Sequence, residues 1–278
     1  MARLSGDMVR HKLATRTFGQ NVICTDQTGS TNTELKSLAR MGAPEGLLYL
    51  ADEQVAGRGR LAGRRWVAPA GSSLLLSLLF RPGDVVEPQQ AQQLTMLCAL
   101  AMVDAIEQQT GLRPDLKWPN DLLWTDGKKL AGILTELEFE RDRLAWAVVG
   151  IGLNVNVDFA RQPDLEKSSS GNGGPPLSQT GTSLSMILGR DTGADRLPIL
   201  QRFLENAERR YEALRRGVLF HREWASQLVG LGHPVIVAAP DKTYQGIMVG
   251  VDESGALMVR QSDKTTVTIL AGDVTLNY

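Results

Sequence analysis

The ten residues Gly57-Arg58-Gly59-Arg60-Leu61-Ala62-Gly63-Arg64-Arg65-Trp66 hold three glycines and four arginines. Glycine lets a backbone wrap closely around a ligand, and guanidinium groups offer forked donors to phosphate oxygens. The segment is not a P-loop, since no Gly-Lys-Ser/Thr follows. By composition alone a basic surface loop touching nucleic acid reads equally well. Two further stretches, Lys117-Trp118-Pro119-Asn120-Asp121 and Lys128-Lys129-Leu130-Ala131-Gly132-Ile133, place charge inside strand-like sequence. Such charge is costly on a buried strand unless it is paired or functional. A solvent-facing Lys–Asp pair on a sheet edge is the plain alternative, and Pro119 suits a strand end or edge. A last stretch, Gly150-Ile151-Gly152-Leu153-Asn154-Val155-Asn156, sets glycines within an apolar strand, where a ligand or a second backbone could approach.

The surrounding pattern supplies elements to carry these groups. Thr31 and Glu34 have capping-box spacing ahead of a short helix to Arg40, with Gly42 as its stop. Leu47–Ala51 and Ser72–Arg81 read as buried strands, and Gln89–Gln109 as a helix with an apolar stripe. Strand pieces at Leu116–Trp118 and Leu122–Trp124 precede an Asp126-Gly127 turn into a strand from Lys129 to Phe139. Leu144–Val157 reads as a long strand interrupted by Gly150 and Gly152. The Ser/Gly/Asn/Pro-rich segment Glu166–Gly181 reads as a surface loop, and Leu197–Arg216 as an amphipathic helix. From Leu231 the runs Val235–Ala238, Tyr244–Val251, Ala256–Val259 and Thr266–Leu270 suggest a small β-barrel or SH3-like module.

At 278 residues, the chain has room for one large domain and a small appended one. A net charge of −1 argues against a protein whose main task is coating nucleic acid. Its two cysteines, Cys24 and Cys98, read as reduced structural thiols. The longest apolar run, Leu74–Phe80, is too short to span a bilayer. The charged first twenty residues have no apolar core of a secretory signal, so the cytoplasm is expected. His11, His221 and His233 are scattered, and no zinc-type ligand cluster stands out.

Taken in order, Ser-Thr-Asn at Ser30–Asn32, Gln-x-x-Gly-Arg-Gly-Arg from Gln54, Lys-Trp-Pro-Asn-Asp, Lys-Leu-Ala-Gly-Ile and Gly-x-Gly-x-Asn-x-Asn resemble the biotin protein ligase family. The resemblance spans about Asp26 to Asn156 and continues more faintly through Thr182-Ser183-Leu184 to Ala271-Gly272-Asp273-Val274. It implies a mixed α/β (α+β) catalytic domain over 1–230 and a small C-terminal SH3-like β-barrel over 231–278. It also implies that biotin and ATP, with Mg2+, form biotinyl-5'-AMP, and that biotin then passes to a carrier lysine. The biotin contacts implied are Ser30, Thr31, Asn32, Gln54, Gly57, Arg58, Gly59, Arg60, Lys129 and Gly132. Ser30 and Thr31 have helix capping as an alternative or additional role. The nucleotide contacts implied are Arg58, Arg60, Arg64, Arg65, Trp66, Asn120, Lys129 and Asn154. Lys129, Arg60 and Asp121 carry the catalytic roles, and no protein metal site is implied. Both the arginine loop and the turn before Lys129 are one residue longer than that family's usual form. Lys129 rather than Lys128 matches, because it directly precedes Leu-Ala-Gly-Ile.

A urea ring offers donors and a carbonyl, so neutral partners such as Ser30, Thr31 and Gln54 suit it. Joining a carboxylate to a phosphate brings two anions together, which cations must offset. The Gly57–Trp66 segment is expected to fold over the adenylate and exclude water. The related alternative is a lipoate or octanoate ligase or transferase on the same scaffold, which would need a long apolar tunnel. Twenty-nine residues precede Ser-Thr-Asn, too few for a helix-turn-helix domain, so specific DNA binding is not expected. The expected partner is a biotin-accepting carrier domain of a carboxylase. The chain is expected to be a monomer or homodimer, and no membrane contact is expected.

Overall fold

The computed structural model describes residues 3–60, 63–161, 175–189 and 195–276. A seven-stranded sheet has the order β1-β2-β3-β7-β6-β5-β4. Its strands are β1 (Val22–Thr28), β2 (Leu48–Gln54), β3 (Ser73–Phe80), β4 (Asp115–Lys117), β5 (Asp121–Leu123), β6 (Lys129–Glu140) and β7 (Arg143–Asn154). Only β1 and β2 pair in parallel among these strands, so the sheet is mixed, within the α/β domain that the resemblance implies. Strand β3 is buried at all eight positions, as a leucine-rich run between two covered faces must be. Gly150 and Gly152 do not interrupt β7, because it pairs on both sides, with β3 and with β6.

Helix α1 (Gly6–Arg10) starts the chain, and α2 (Thr31–Arg40) covers one face of the sheet, where Leu35 and Ala39 meet Leu47, Leu79, Trp146 and Val148. The other face carries α3 (Gln92–Thr110). Thirteen residues of α3 are buried, so the expected single stripe is wrong for it. The sheet lies on one side of this helix and the helix Arg196–Leu214 on another, while Gly255 of the C-terminal module meets Met96 and Gln92. A helix enclosed in this way is apolar around most of its circumference. Among the described residues, two short helices follow β7, α4 (Leu177–Thr180) and α5 (Leu184–Leu188). The end of the expected 166–181 loop is thus helical, and its positions 166–174 lie outside the described residues. Helix α6 (Arg196–Leu214) also anchors the N-terminal segment: Glu208 accepts from Arg16 N, Thr17 N and Phe18 N at 2.7–2.9 Å. Helix α7 (His221–Ala225) leads to the last five strands.

Those strands are β8 (Pro234–Ala238), β9 (Thr243–Val251), β10 (Leu257–Arg260), β11 (Thr266–Ile269) and β12 (Asp273–Leu276), in the order β11-β10-β9-β8-β12. They form an antiparallel sheet whose edges β11 and β12 do not pair, so it is not a closed barrel. Cys24 and Cys98 are both free. Among the described residues, no helix is long and apolar enough to cross a membrane.

Candidate active site

Strand register brings three glycines to one face of the large sheet. Asp121 pairs with Gly132, and Gly132 with Gly152. One row along, Leu134 pairs with Gly150, and Gly150 with Ser77. Paired residues point to the same side of a sheet, so both rows lie on the face that carries α2. A bulge where Leu122/Leu123 face Ala131 and Lys129 shifts the alternation of β6. Lys129 thereby joins the face of Gly132 instead of the opposite one. Its Nζ lies 3.1 Å from where a methyl group on Gly132 would sit.

The missing side chains make a trench, and two residues use the room. A methyl at Gly152 would lie 2.4 Å from Trp66 Cε2, and one at Gly150 would lie 2.0 Å from Asn32 Oδ1. The Gly57–Trp66 segment folds back on itself as a hairpin. Trp66 N donates to Gly57 O at 3.1 Å, Gly59 N donates to Arg64 O at 2.8 Å, and Arg58 bridges Arg65. Leu61 and Ala62 lie outside the described residues. The hairpin lowers the indole onto the glycines. The cavity left beside it measures about 60 Å³, room for a few water molecules. The Trp66 indole fills the space over Gly152, so a ligand lying along these glycines would have to displace it.

One end of the cavity is neutral. Ser30 is the N-cap of α2 by backbone geometry but makes no capping bond through its side chain. The expected Thr31/Glu34 capping box does not form. Instead Gln54 Oε1 accepts from Thr31 N at 2.8 Å and from Thr31 Oγ1 at 3.1 Å, reaching across from the end of β2 to cap the helix. Asn32 is committed within the protein, its Nδ2 donating to Leu134 O at 3.1 Å and Glu136 Oε2 at 2.9 Å.

The other end is cationic. Arg58, Arg60 and Lys129 all line the cavity, with Gly59, Trp66, Asn120 and Gly132. Lys129 Nζ lies 5.7 Å from the Trp66 ring centroid and 2.7 Å from Asp121 Oδ1. The latter is an ion pair by distance without the alignment of a hydrogen bond. Arg60 donates to Gly272 O of the C-terminal module at 2.7 Å. Asn120 lines the cavity while its Nδ2 donates to Ile133 O.

Ser30, Thr31, Asn32, Gln54, Arg58, Gly59, Arg60, Trp66, Asn120, Lys129 and Gly132 thus meet at one cavity. Gly57, Arg64, Arg65, Asp121 and Asn154 are not among its lining residues. Gly57 is packed beneath Trp66 O, and Arg64 and Arg65 face outward. Asn154 holds the backbone around Lys129, its Nδ2 donating to Thr182 O at 3.0 Å and Lys129 O at 3.4 Å. Thr182 N donates to the same Lys129 carbonyl at 2.9 Å. Lys117 and Trp118 face the C-terminal module instead of the cavity: Lys117 Nζ is 3.3 Å from Asp273 Oδ1, and Trp118 Nε1 donates to Gly255 O at 3.0 Å. Leu76, Ile133, Leu134 and Ile151 also line the cavity and were not among the expected contacts, and so do Gly150 and Gly152, the glycines at which a close approach was expected. The alternation of β3, β6 and β7 could have found them only once their register was known.

The model of the biotin/lipoate A/B protein ligase family matches residues 24–154, and that of the biotin protein ligase C-terminal domain matches residues 230–276. The bifunctional ligase/repressor BirA of Bacillus subtilis is 36% identical over 267 residues, covering 94% of this chain and 76% of its own length. The biotin–[acetyl-CoA-carboxylase] ligase of Paracoccus denitrificans is 35% identical over 237 residues, covering 84% and 92%. Among solved structures, the biotin protein ligase from Aquifex aeolicus in complex with biotin and ATP superimposes with a TM-score of 0.71. It is 27% identical, and the match covers 93% of this chain and 99% of that one.

Proposed function

This chain belongs to the biotin/lipoate A/B protein ligase family, and on that premise we propose which of its residues run an ATP-dependent biotin–protein ligation. The activity is that of a biotin protein ligase, which forms biotinyl-5'-AMP from biotin and ATP and then transfers biotin to a carrier lysine. The observation that carries the residue assignment is a single cavity, neutral at Ser30, Thr31 and Gln54 and cationic at Arg58, Arg60 and Lys129. Biotin has the same polarity, a neutral urea at one end and a carboxylate at the other. Its tail then lies along Gly132, with its carboxylate at Lys129.

In the first half-reaction the carboxylate attacks the α-phosphorus of ATP and pyrophosphate leaves. Lys129 and Arg60 hold the approaching anions and offset charge building on the phosphoryl oxygens. Arg58, Asn120 and Trp66 contribute to the nucleotide side, and Arg64 and Arg65 lie on the same hairpin for its outer phosphates. Asn32, Gly57, Gly59 and Asn154 shape the site, Asn154 by fixing Lys129. Magnesium enters with ATP as part of that substrate, and its charge there would add to that of Lys129 and the arginines.

In the second half-reaction the amine of a carrier lysine attacks the acyl carbon of the anhydride, an amide bond forms, and AMP leaves. The lysine's neutral amine costs roughly 4.6 kcal/mol at neutral pH. Asp121 is ion-paired to Lys129. When Lys129 turns to the anions of the adenylate, Asp121 is released to orient or deprotonate the incoming amine. The partner is a biotin-accepting carrier domain. A cytoplasmic setting fits the two free thiols. A monomer or homodimer without specific DNA binding, divided into 1–230 and 231–278, completes the reading.

The test is biotin-dependent exchange of labelled pyrophosphate into ATP, run beside lipoate and octanoate and repeated with Lys129→Ala. Exchange with biotin alone, reduced about 10²–10³-fold in the variant, is expected. Exchange with a fatty acid in place of biotin would overturn the assignment.

A further inference from the structure

Ser77 lies in the middle of the run Ser73–Phe80, where every neighbour along the strand from Leu74 to Phe80 is apolar. It is fully buried, on the face that carries the trench, and pairs with Gly150. Its hydroxyl is 2.5 Å from Asn32 Oδ1 and 2.8 Å from Thr31 Oγ1. A serine has one proton for these two oxygens.

The neighbours decide where that proton goes. Asn32 Nδ2 donates to Leu134 O and Glu136 Oε2, and Lys36 pairs with Glu136. A reversed amide would press its oxygen against a carbonyl and a carboxylate, so Oδ1 is the atom that faces Ser77. That oxygen can only accept, and it is the nearer of the two, so the Ser77 proton lies on it. Thr31 has its own proton, with Ser77 Oγ at 2.8 Å and Gln54 Oε1 at 3.1 Å as acceptors. Either choice spends the proton inside the protein. Thr31 is one of the residues lining the cavity, and its Oγ1 is left with lone pairs alone.

We propose that Ser77 is a positioning residue: by way of Asn32 and Thr31 it makes the neutral end of the cavity a hydrogen-bond acceptor that selects a head group bearing an N–H at that point. The proposal rests on the reading of this end as the site of biotin's urea. Without the Ser77 hydroxyl, Thr31 keeps only Gln54 Oε1, at 3.1 Å, as an acceptor within the protein, and its hydroxyl can turn from that longer bond to donate into the cavity. A ring oxygen in place of the N–H would then be tolerated.

The experiment compares biotin with two cyclic carbamates, each carrying oxygen in place of one of the two urea nitrogens, in pyrophosphate exchange. The ratio of kcat/KM between two acids in one preparation cancels the folded fraction of enzyme. Wild type is expected to prefer biotin over both carbamates. In Ser77→Ala the preference over one carbamate should fall about tenfold, while that over the other is kept. Ser77→Cys, with a weak S–H donor of similar size, should show the same one-sided loss. Preferences unchanged in both variants, or lowered equally for the two carbamates as a loosened pocket would give, would overturn the proposal. A wild-type protein that exchanges with no biotin at all would instead overturn the reading of the site, and the proposal with it.

Discussion

Lys129 is held from two directions, its backbone by Thr182 and Asn154 and its ammonium by Asp121 and the face of Trp66. A cation kept at the end of a long flexible stem loses less entropy when it meets a phosphate. Asp121 is the one carboxylate in this ion pair, and its second role is testable. Asp121→Asn keeps the shape but loses the charge. Transfer from preformed biotinyl-5'-AMP to a carrier should slow about tenfold or more, with adenylation, followed by pyrophosphate exchange, affected less. Equal loss in the two half-reactions would remove the base role. The two thiols are outside this chemistry. Burial pushes the Cys98 thiol far above its ordinary range, and burial is also the main cause that raises Cys24. Neither offers a thiolate at neutral pH.

At the scale of elements, the trench exists because two strands carry glycine at paired positions and a hairpin lays an indole on them. Gly152→Ala would put a methyl 2.4 Å from Trp66 Cε2, against the body of a ring rather than a flexible end. The hairpin should lift, with a red-shifted tryptophan emission and a higher KM for both biotin and ATP. Unaltered emission would show that the indole does not rest there in solution. The Trp66 Nε1 is buried and has no partner among the described residues. An unmade hydrogen bond of this kind costs about 1–3 kcal/mol, which makes the docked position easy to leave. Limited proteolysis at Arg58–Arg65 should therefore be fast for the protein alone and slow with biotin plus ATP. The same cleavage rate in both would sink the idea of a closing hairpin.

Across the whole molecule, the C-terminal sheet is fastened beside the site by groups that also belong to the catalytic sequence motifs. Trp118 donates to Gly255 O, Lys117 pairs with Asp273, and Arg60 reaches Gly272 O. Gln93, fully buried on α3, adds a bond to Glu253 O at 2.7 Å. Trp118→Phe removes one buried bond while keeping most of the ring. It should cost about 1–1.5 kcal/mol, lowering Tm by roughly 2–4 °C. Because Gly272 follows the same module, KM for ATP should rise as well. A lowered Tm with an unaltered KM would separate the docking of the sheet from the position of Arg60.

The order of Ser-Thr-Asn, the glycine–arginine segment, Lys-Leu-Ala-Gly-Ile and the paired glycines was enough to read the family, the α/β class and most of the cavity's lining. Local spacing carries the elements, because a turn or a glycine announces itself within a few residues, whereas the family and the cavity residues came from the resemblance of the ordered motifs. The fold added what depends on distant partners. Gln54, at the end of β2, caps α2 in place of Glu34, a contact made by a residue distant in sequence. Asn154 and the Lys117–Trp118 pair serve as supports, and Ser77 became a polar contact in a run that reads as core. None of these could be read from periodicity, because strand register decides which side chains share a face. One bulge between β5 and β6 is what turns Lys129 toward Gly132, and a bulge leaves no mark on an apolar pattern.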